Sequence, residues 1–254
     1  MAPSREPSAR PDSGAGDAPA PDVPTGADDA DTPVVPGTTV LDGEARRAVE
    51  AVLEESRRLG FLGPGPIEAH IDHALACADV VASCLDSADG QVRHGVDLGT
   101  GGGLPGLVLA ACFPALRWTL LDSMARRTFA LSAALTRVAS PVFAGVSVVT
   151  ARAEEWAAGE GGEAAELVVA RSFGPPSIVA ECAAPMLRIG GWLVVSEPPV
   201  PTGRWAGVTS APLGLGPATL VRARDAWFAR LQRVGPITTA LPRRPAAMER
   251  RPWF

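Results

Sequence analysis

The chain of 254 residues contains neither lysine nor tyrosine, so its 23 basic residues are all arginine. With abundant alanine, glycine and proline, this usage indicates a coding bias more than a physical demand. No apolar run approaches the ~18 residues that a membrane-spanning helix needs, which argues against a membrane protein. The N-terminus also lacks the apolar stretch of about 7–15 residues found in secretory signals. We therefore expect a cytoplasmic protein.

Cysteine is scarce as well. The four cysteines are Cys77, Cys84, Cys112 and Cys182; none belongs to a Cys-x-x-Cys pair, and all fall in segments predicted to be helical. Zinc sites usually draw on closely spaced cysteine pairs, whereas buried reduced thiols are ordinary in cytosolic proteins. We therefore expect free thiols and no bound metal.

Large apolar residues are nearly absent before Val34, in a segment rich in Pro, Ala, Gly and Asp. Residues 1–42 hold eight acidic and two basic residues, so the net charge of −5 lies in this segment. A segment that buries so little apolar surface does not offset the entropy of ordering it. We predict a disordered tail at 1–42, followed by one domain at 43–254.

That domain changes from a helical period to an alternation of strands and helices. Helices are predicted at 44–59 and 67–85 from apolar residues at helical spacing. Strands are then predicted at 95–98, 117–121, 146–150, 166–170 and 191–195, with helices at 104–112, 123–138 and 175–187 and a turn at 153–156. Ser123 is the expected N-cap of the 123–138 helix.

This order is typical of an α/β protein with a Rossmann-like, mostly parallel, doubly wound sheet. We expect the domain to comprise N-terminal helices at 43–88, a cofactor-binding core at 89–196, and C-terminal strands with an Arg-rich tail at 197–254.

A glycine loop follows the first strand of the alternation and reads Asp97-Leu-Gly99-Thr-Gly101-Gly-Gly103-Leu-Pro-Gly106. Ligands of such sheets bind beyond the carboxyl ends of the strands, and glycines let the backbone approach them closely. The stretch formally matches the G-x-G-x-x-G of dinucleotide-binding loops, which is a weak signal alone. A carboxylate at Asp97 repels a pyrophosphate but attracts a ligand with an ammonium and a sulfonium. The loop therefore favours S-adenosylmethionine over a nicotinamide dinucleotide.

Two further acidic positions follow the next strands. Asp122 ends one of them, where its carboxylate can accept hydrogen bonds from both ribose hydroxyls, as in NAD enzymes too. Ala153 and Glu154 follow the third strand, in the loop that borders the adenine ring in this fold. Separately, a loop aspartate can cap a turn and Glu154 can start a helix. Together, in this order, they predict an S-adenosylmethionine-dependent methyltransferase.

The chain resembles RsmG, the bacterial family of small-subunit ribosomal RNA guanine-N7 methyltransferases once called glucose-inhibited division protein B. The resemblance rests on four segments: Val96–Leu107, Leu120–Arg127, Arg152–Trp156 and Val169–Phe173. It implies the class I S-adenosylmethionine-dependent methyltransferase fold, and transfer to a guanine of 16S ribosomal RNA. With the loop, it implies cofactor contacts from Asp97, Gly99, Gly101, Leu104, Asp122, Ala153, Glu154 and Arg171. We expect a monomer.

The chain departs from the family pattern in two places. Ala69 stands before His70 where the family usually carries Arg, and Glu197 follows the fifth strand where the family usually carries Lys. An anion at the mouth of the site is unfavourable for RNA. Together with the altered segment around His70, it makes a methyltransferase of small molecules one alternative. A non-catalytic S-adenosylmethionine-binding module is another.

The chemistry expected of the family needs few catalytic groups. Guanine N7 carries a free lone pair at neutral pH, so methyl transfer can rest on proximity and orientation, without a general base. The [DN]-P-P-[YFW] motif of exocyclic-amine methylation is absent after the fourth strand. Cys182 lies in a predicted helix, which argues against nucleophilic catalysis at carbon. No catalytic residue is assigned.

Arginines are concentrated near the C-terminus. Residues 222–254 contain eight arginines against two acidic residues, with tryptophan and phenylalanine interleaved. Arginine pairs with phosphates and stacks on bases, so this segment is a candidate RNA-binding region. The residues chosen are Arg243, Arg244, Arg250 and Arg251. The alternative is a final β-hairpin with a solvated basic edge.

Overall fold

An eight-stranded sheet forms the centre of the structure, a computed structural model that describes residues 32–85, 94–205 and 212–253. The chain divides into Met1–Ala30, which lies outside the described residues, and Asp31–Phe254, to which all that follows refers. The strands are β1 (Val34–Val35), β2 (His94–Leu98), β3 (Arg117–Asp122), β4 (Val146–Thr150), β5 (Ala165–Ala170), β6 (Leu187–Ser196), β7 (Thr219–Ala223) and β8 (Ala226–Gln232).

The strand order is β1-β7-β8-β6-β5-β2-β3-β4. Strand β8 runs antiparallel to both of its neighbours, and every other pairing is parallel. Strands β2 and β5 lie side by side, but the chain leaves β2 for β3 on the opposite side. This reversal is the switch point of a doubly wound sheet, where the loops after β2 and β5 diverge and leave a crevice.

Helices cover both faces of the sheet. Those described are α1 (Gly43–Arg58), α2 (Ile67–Leu85), α3 (Gly106–Cys112), α4 (Ala125–Val138), α5 (Ala153–Ala158), α6 (Pro176–Ala183) and α7 (Pro245–Arg250). Residues of β5 alternate between two cores: Leu167 packs with α2 and α3, whereas Val168 packs with α5 and α6. Burial on both faces explains why the central strands read as continuous apolar runs.

The sequence predicted the order and type of these elements well. Helix α2 and strand β4 have the predicted bounds, and the other predicted strands and helices are found within a few residues. Two local predictions were wrong. Residues 153–156 belong to helix α5 rather than to a turn. Ser123 does not cap α4, because the N-cap position is Met124, which makes no side-chain capping hydrogen bond.

The predicted disordered tail was wrong for residues 32–42. Strand β1 pairs with β7, and Val35 is buried against the sheet. The N–H groups of Thr38 and Thr39 donate to Asp79 Oδ1 at 3.0 and 2.8 Å. Asp42 then caps α1. The ordered conformation of residues 32–42 is stabilised by the buried Val35 and by hydrogen bonds to the buried carboxylate of Asp79 in α2. Residues 1–31 of the expected tail lie outside the described residues.

Two sequence expectations about composition can be compared with the structure. All four cysteines are free and lie in helices, three of them buried. No helix in the described part of the chain is long and apolar enough to cross a membrane.

Candidate functional site

Asp97 holds the glycine loop in place. Its carboxylate is fully buried at the end of β2, and Oδ2 accepts hydrogen bonds from Thr100 Oγ1 at 2.7 Å and from the Gly106 N–H at 2.8 Å. Burial raises the pKa of Asp97 to about 6, and these two hydrogen bonds oppose that rise. The Asp97 side chain lies behind the loop and lines none of the cavities described below. The sequence had placed it in direct contact with the cofactor.

At the switch point, the backbone of the glycine loop packs closely against the segment that follows β5. Gly99 has a φ of +75°, and a Cβ there would lie 2.5 Å from the Phe173 ring. The Gly99 and Thr100 N–H groups donate to the Leu121 carbonyl at 2.8 and 2.9 Å. Glycine at this position therefore lets the segment after β2 pack directly on the segment after β5, so that both border one crevice.

Asp122 connects the loop to the next strand. Its Oδ2 accepts the Gly101 N–H at 2.9 Å, and Arg127 Nη1 lies 3.5 Å from the same oxygen. Its Oδ1 accepts the Met124 N–H. A carboxylate oxygen has two lone pairs, so Oδ2 is occupied by its two donors, whereas Oδ1 keeps capacity for a ligand hydroxyl.

Three adjoining cavities follow the carboxyl edge of the sheet. The first, of about 210 Å³, has Gly99, Asp122, Ala153 and Glu154 among its lining residues. The second, of about 250 Å³, lies against the glycine loop, and its lining includes Gly99, Gly101, Leu104 and Arg171. The third, of about 300 Å³, extends from Arg171 to Glu197. Seven of the eight predicted cofactor contacts thus line the first two cavities.

Arg171, which follows β5, is held in position by a hydrogen bond to His70 of α2, and His70 in turn contacts Gly63. Its Nη2 donates to His70 Nδ1 at 3.0 Å, and His70 Nε2 lies 3.1 Å from the Gly63 carbonyl oxygen. Because a guanidinium only donates, Nε2 carries the ring proton and donates it to Gly63. Burial lowers the pKa of the Arg171 guanidinium, and the nearby Asp97 opposes that effect.

The sequence missed several residues of this site. Phe61 and Leu62, between α1 and α2, line the second cavity, and Ser172 lines all three. Ser56 Oγ donates to the Gly102 carbonyl at 2.8 Å, so helix α1 supports the loop directly. The resemblance to RsmG drew attention to His70 but gave it no role.

Comparison with known proteins now adds to this geometry. The family model described as rRNA small subunit methyltransferase G matches residues 44–197. The chain belongs to this family. Among curated proteins named Ribosomal RNA small subunit methyltransferase G, that of Salinispora tropica is 42% identical over 140 residues, covering 53% of this chain and 54% of the relative. That of Frankia casuarinae is 34% identical over 170 residues, covering 63% and 60%.

The matched region thus spans 54–60% of the length of these relatives. Among solved structures, cofactor-bound Rv0187 from MTB has a TM-score of 0.52 at 19% identity, covering 74% of this chain and 91% of that one. A methyltransferase from Geobacter sulfurreducens has a TM-score of 0.51 at 12% identity, covering 74% and 89%. These likenesses show the fold, which is the class I methyltransferase fold predicted from the sequence.

Glu197, one departure from the RsmG pattern, is not a free anion. Its side chain is 2% exposed, and its two oxygens accept from Arg204 Nη2 at 2.8 Å and Nε at 2.9 Å. Trp205 Nε1 also donates to it at 2.7 Å. The sequence-based interpretation of Glu197 as an uncompensated negative charge was therefore wrong, because Arg204 neutralises it.

The predicted RNA-binding arginines of this RsmG-family chain divide into two kinds. Arg243 pairs with the buried Glu181 through Nε at 2.7 Å and Nη2 at 2.6 Å, and its guanidinium lies 4.6 Å from the centre of the Trp253 ring. The prediction that Arg243 binds phosphate is therefore corrected: it fastens the C-terminal segment to α6. Arg244, Arg250 and Arg251 are exposed on and around α7.

Proposed function

We propose that this protein is an S-adenosylmethionine-dependent methyltransferase that methylates N7 of a guanine in 16S ribosomal RNA. One observation carries the proposal. In a chain of the RsmG family, seven residues expected to contact the cofactor line two adjoining cavities at the switch point of the sheet. The third cavity opens beside them and gives an acceptor base a place to enter.

The first two cavities fit the cofactor by their chemistry. Asp122 is 5% exposed, and its Oδ1 can accept a ribose hydroxyl. Ala153 and Glu154 line the same cavity. Glycines on the second wall allow close approach of a methionine moiety. S-adenosylmethionine supplies an electrophilic methyl group on a sulfonium. Asp97 contributes indirectly: it holds the glycine loop through Thr100 and Gly106, and the loop backbone separates its carboxylate from the cavities.

The acceptor side of the site suits a nucleophile that needs no base. Glu197 is the only carboxylate among the described residues that line the third cavity, and it is held by Arg204 and Trp205. Guanine N7 has a lone pair without a proton, so the protein has only to orient the base and exclude water. Burial lowers the pKa of His73, which also lines this cavity, to about 4, so its imidazole is a weak base. This arrangement favours N7 transfer over reactions that must first remove a proton.

The small-molecule alternative loses one of its two motives, because the negative charge of Glu197 that would repel RNA is compensated. The altered segment around His70 is the other motive, and the transfer assay distinguishes the two kinds of substrate. RNA contact through Arg244, Arg250 and Arg251 belongs to the proposal, as do a cytoplasmic location, a monomeric state and independence from metals.

Isothermal titration calorimetry and a transfer assay test the proposal together. The protein should bind S-adenosylmethionine and S-adenosylhomocysteine but not NAD, and should transfer labelled methyl from S-adenosylmethionine to unmodified small ribosomal subunits or their naked RNA. NAD binding without S-adenosylmethionine binding would refute the cofactor assignment. Cofactor binding with transfer only to a metabolite would refute the RNA assignment.

A further inference from the structure

The third cavity, of about 300 Å³, lies between the segments that follow β5 and β6. It shares Arg171 and Ser172 with the glycine-loop cavity, and Ser172 and Phe173 with the cavity that contains Asp122. A molecule bound in it would therefore meet a cofactor held in the other two. This position makes the third cavity the natural place for a methyl acceptor.

Three residues that line it each have a buried side-chain atom with no hydrogen-bond partner among the described residues: His73 Nδ1, Arg171 Nη1 and Ser196 Oγ. A buried donor or acceptor without a partner costs free energy, and native structures leave few of them. Each of these side chains would gain a partner by turning this atom towards a molecule bound in the cavity.

The wall is held in shape by neighbours that do not depend on a ligand. His70 fixes one amino group of Arg171 and leaves Nη1 without a partner. The Glu197–Arg204 pair closes another side without net charge. Burial, aided by the positive charge of Arg171 and by His70, lowers the pKa of His73 to about 4, so its imidazole is neutral at pH 7. The His73 ring also packs against Phe228, at 5.6 Å between centroids.

We propose that this cavity receives the target guanine, and that Arg171, His73 and Ser196 recognise the polar edges of the base. This inference rests on the proposed function and adds the residues that select the base. None of the predicted cofactor contacts includes His73 or Ser196, and Arg171 gains a second role.

Hydrogen-bond capacity explains the choice of guanine over adenine. Next to N7, guanine carries the O6 acceptor, whereas adenine carries an amino donor. Arg171 only donates, so Nη1 can bind O6 but would face an unpaired donor in adenine. A single bond to O6 leaves the N7 lone pair free to react. Ser196 Oγ and neutral His73 can each accept from the N1–H and amino group on the opposite edge.

Mononucleotide binding tests the inference without requiring turnover. Guanosine 5′-monophosphate and adenosine 5′-monophosphate are titrated into the full chain loaded with S-adenosylhomocysteine, and binding is followed by ligand-observed NMR. Guanosine monophosphate should bind about fivefold to tenfold more tightly, the value of roughly one hydrogen bond. Ser196→Ala and His73→Phe should each weaken it by a similar factor, and Arg171→Met should abolish the preference.

Ser132→Ala is the matched control, because it makes the same chemical change on the exposed side of α4. It should leave nucleotide binding unchanged. Ser196→Ala, His73→Phe and Ser132→Ala should also bind S-adenosylhomocysteine within about twofold of the original chain, which shows that the fold and the cofactor cavities are intact.

Equal binding of the two nucleotides by the original chain, a guanine preference that survives Arg171→Met, or guanosine monophosphate binding unchanged by Ser196→Ala and His73→Phe together would overturn the inference. The proposed function fails differently, through loss of cofactor binding or of transfer to ribosomal RNA by the unsubstituted chain. If that chain methylates the RNA and the variants do so with unchanged kcat and KM, the acceptor lies elsewhere and only the further inference is wrong.

Discussion

At the scale of single residues, two buried carboxylates have separate tasks at the glycine loop. Asp97 accepts from Thr100 and Gly106 and fixes the loop from behind, whereas Asp122 lies on the cavity wall. Their positions after consecutive parallel strands bring them to the same edge of the sheet. A substitution of Asp122 should therefore change cofactor affinity, whereas a substitution of Asp97 should change the stability of the fold.

Asp122→Ala should weaken S-adenosylmethionine binding by about 1–3 kcal/mol, because ribose hydroxyls lose a charged acceptor. Calorimetry at constant pH measures this directly. Thermal unfolding of the same variant serves as the control, since the Gly101 and Met124 N–H groups also lose a partner. Unchanged affinity in a folded variant would remove Asp122 from the cofactor site.

Asp97 should make stability depend on pH. Its folded pKa of about 6 lies above the ordinary value of 3.8 for an aspartate, so the folded state binds the proton more tightly than the unfolded state. Its contribution is therefore greatest below pH 4 and is lost as the pH rises towards 6. In urea titrations, the original chain should gain stability relative to Asp97→Asn as the pH falls from 6.5 to 4. A constant difference would contradict the raised pKa.

Glu197→Lys tests the buried pair with Arg204. Restoring the lysine usual in the family should here destabilise the fold by about 3 kcal/mol, because two cations then face each other with little solvent. Glu197→Gln keeps an acceptor for Trp205 Nε1 and should cost less. Chemical denaturation measures the free energy of unfolding of both variants. A Glu197→Lys protein as stable as the original would show that the Glu197–Arg204 pair does not stabilise the fold.

At the scale of elements, the segment before α1 is fastened to the sheet by one side chain of α2. Asp79 is buried, accepts from Thr38 and Thr39, and pairs with Arg224 Nε at 2.7 Å. One carboxylate thus joins β1, α2 and the β7–β8 turn. An isolated two-residue strand has little stability of its own, so its order depends on this contact.

Asp79→Ala should destabilise the protein by about 3 kcal/mol, since it leaves Arg224 without its anion. Hydrogen exchange at Thr38 and Thr39 should accelerate more than exchange in β4 at the far edge of the sheet. The matched control is Asp225→Ala, which removes an exposed carboxylate 3.9 Å from Arg222 and should change stability by less than about 0.5 kcal/mol. Equal effects of the two substitutions would rule out the fastening role.

At the scale of the whole molecule, periodicity and strand order were enough to predict the sheet and the edge that carries the site. The resemblance to RsmG, together with the glycine loop, gave seven expected cofactor contacts that line two adjoining cavities. Sequence reasoning failed where side chains pair across long stretches of the chain. Arg243 meets Glu181 across 62 positions, and Arg171 meets His70 across 101. Such pairs depend on packing between elements, which residue spacing does not encode.

Mass-spectrometric mapping of 7-methylguanosine in ribosomal RNA is the strongest test of the proposed guanine-N7 methylation of 16S ribosomal RNA. The RNA is compared among cells with the gene, without it, with the original gene restored, and with the gene restored as Asp122→Ala. We expect one 7-methylguanosine in 16S RNA that disappears with the gene and returns with the original chain but is reduced with Asp122→Ala. An identical 7-methylguanosine map in all the strains would contradict it.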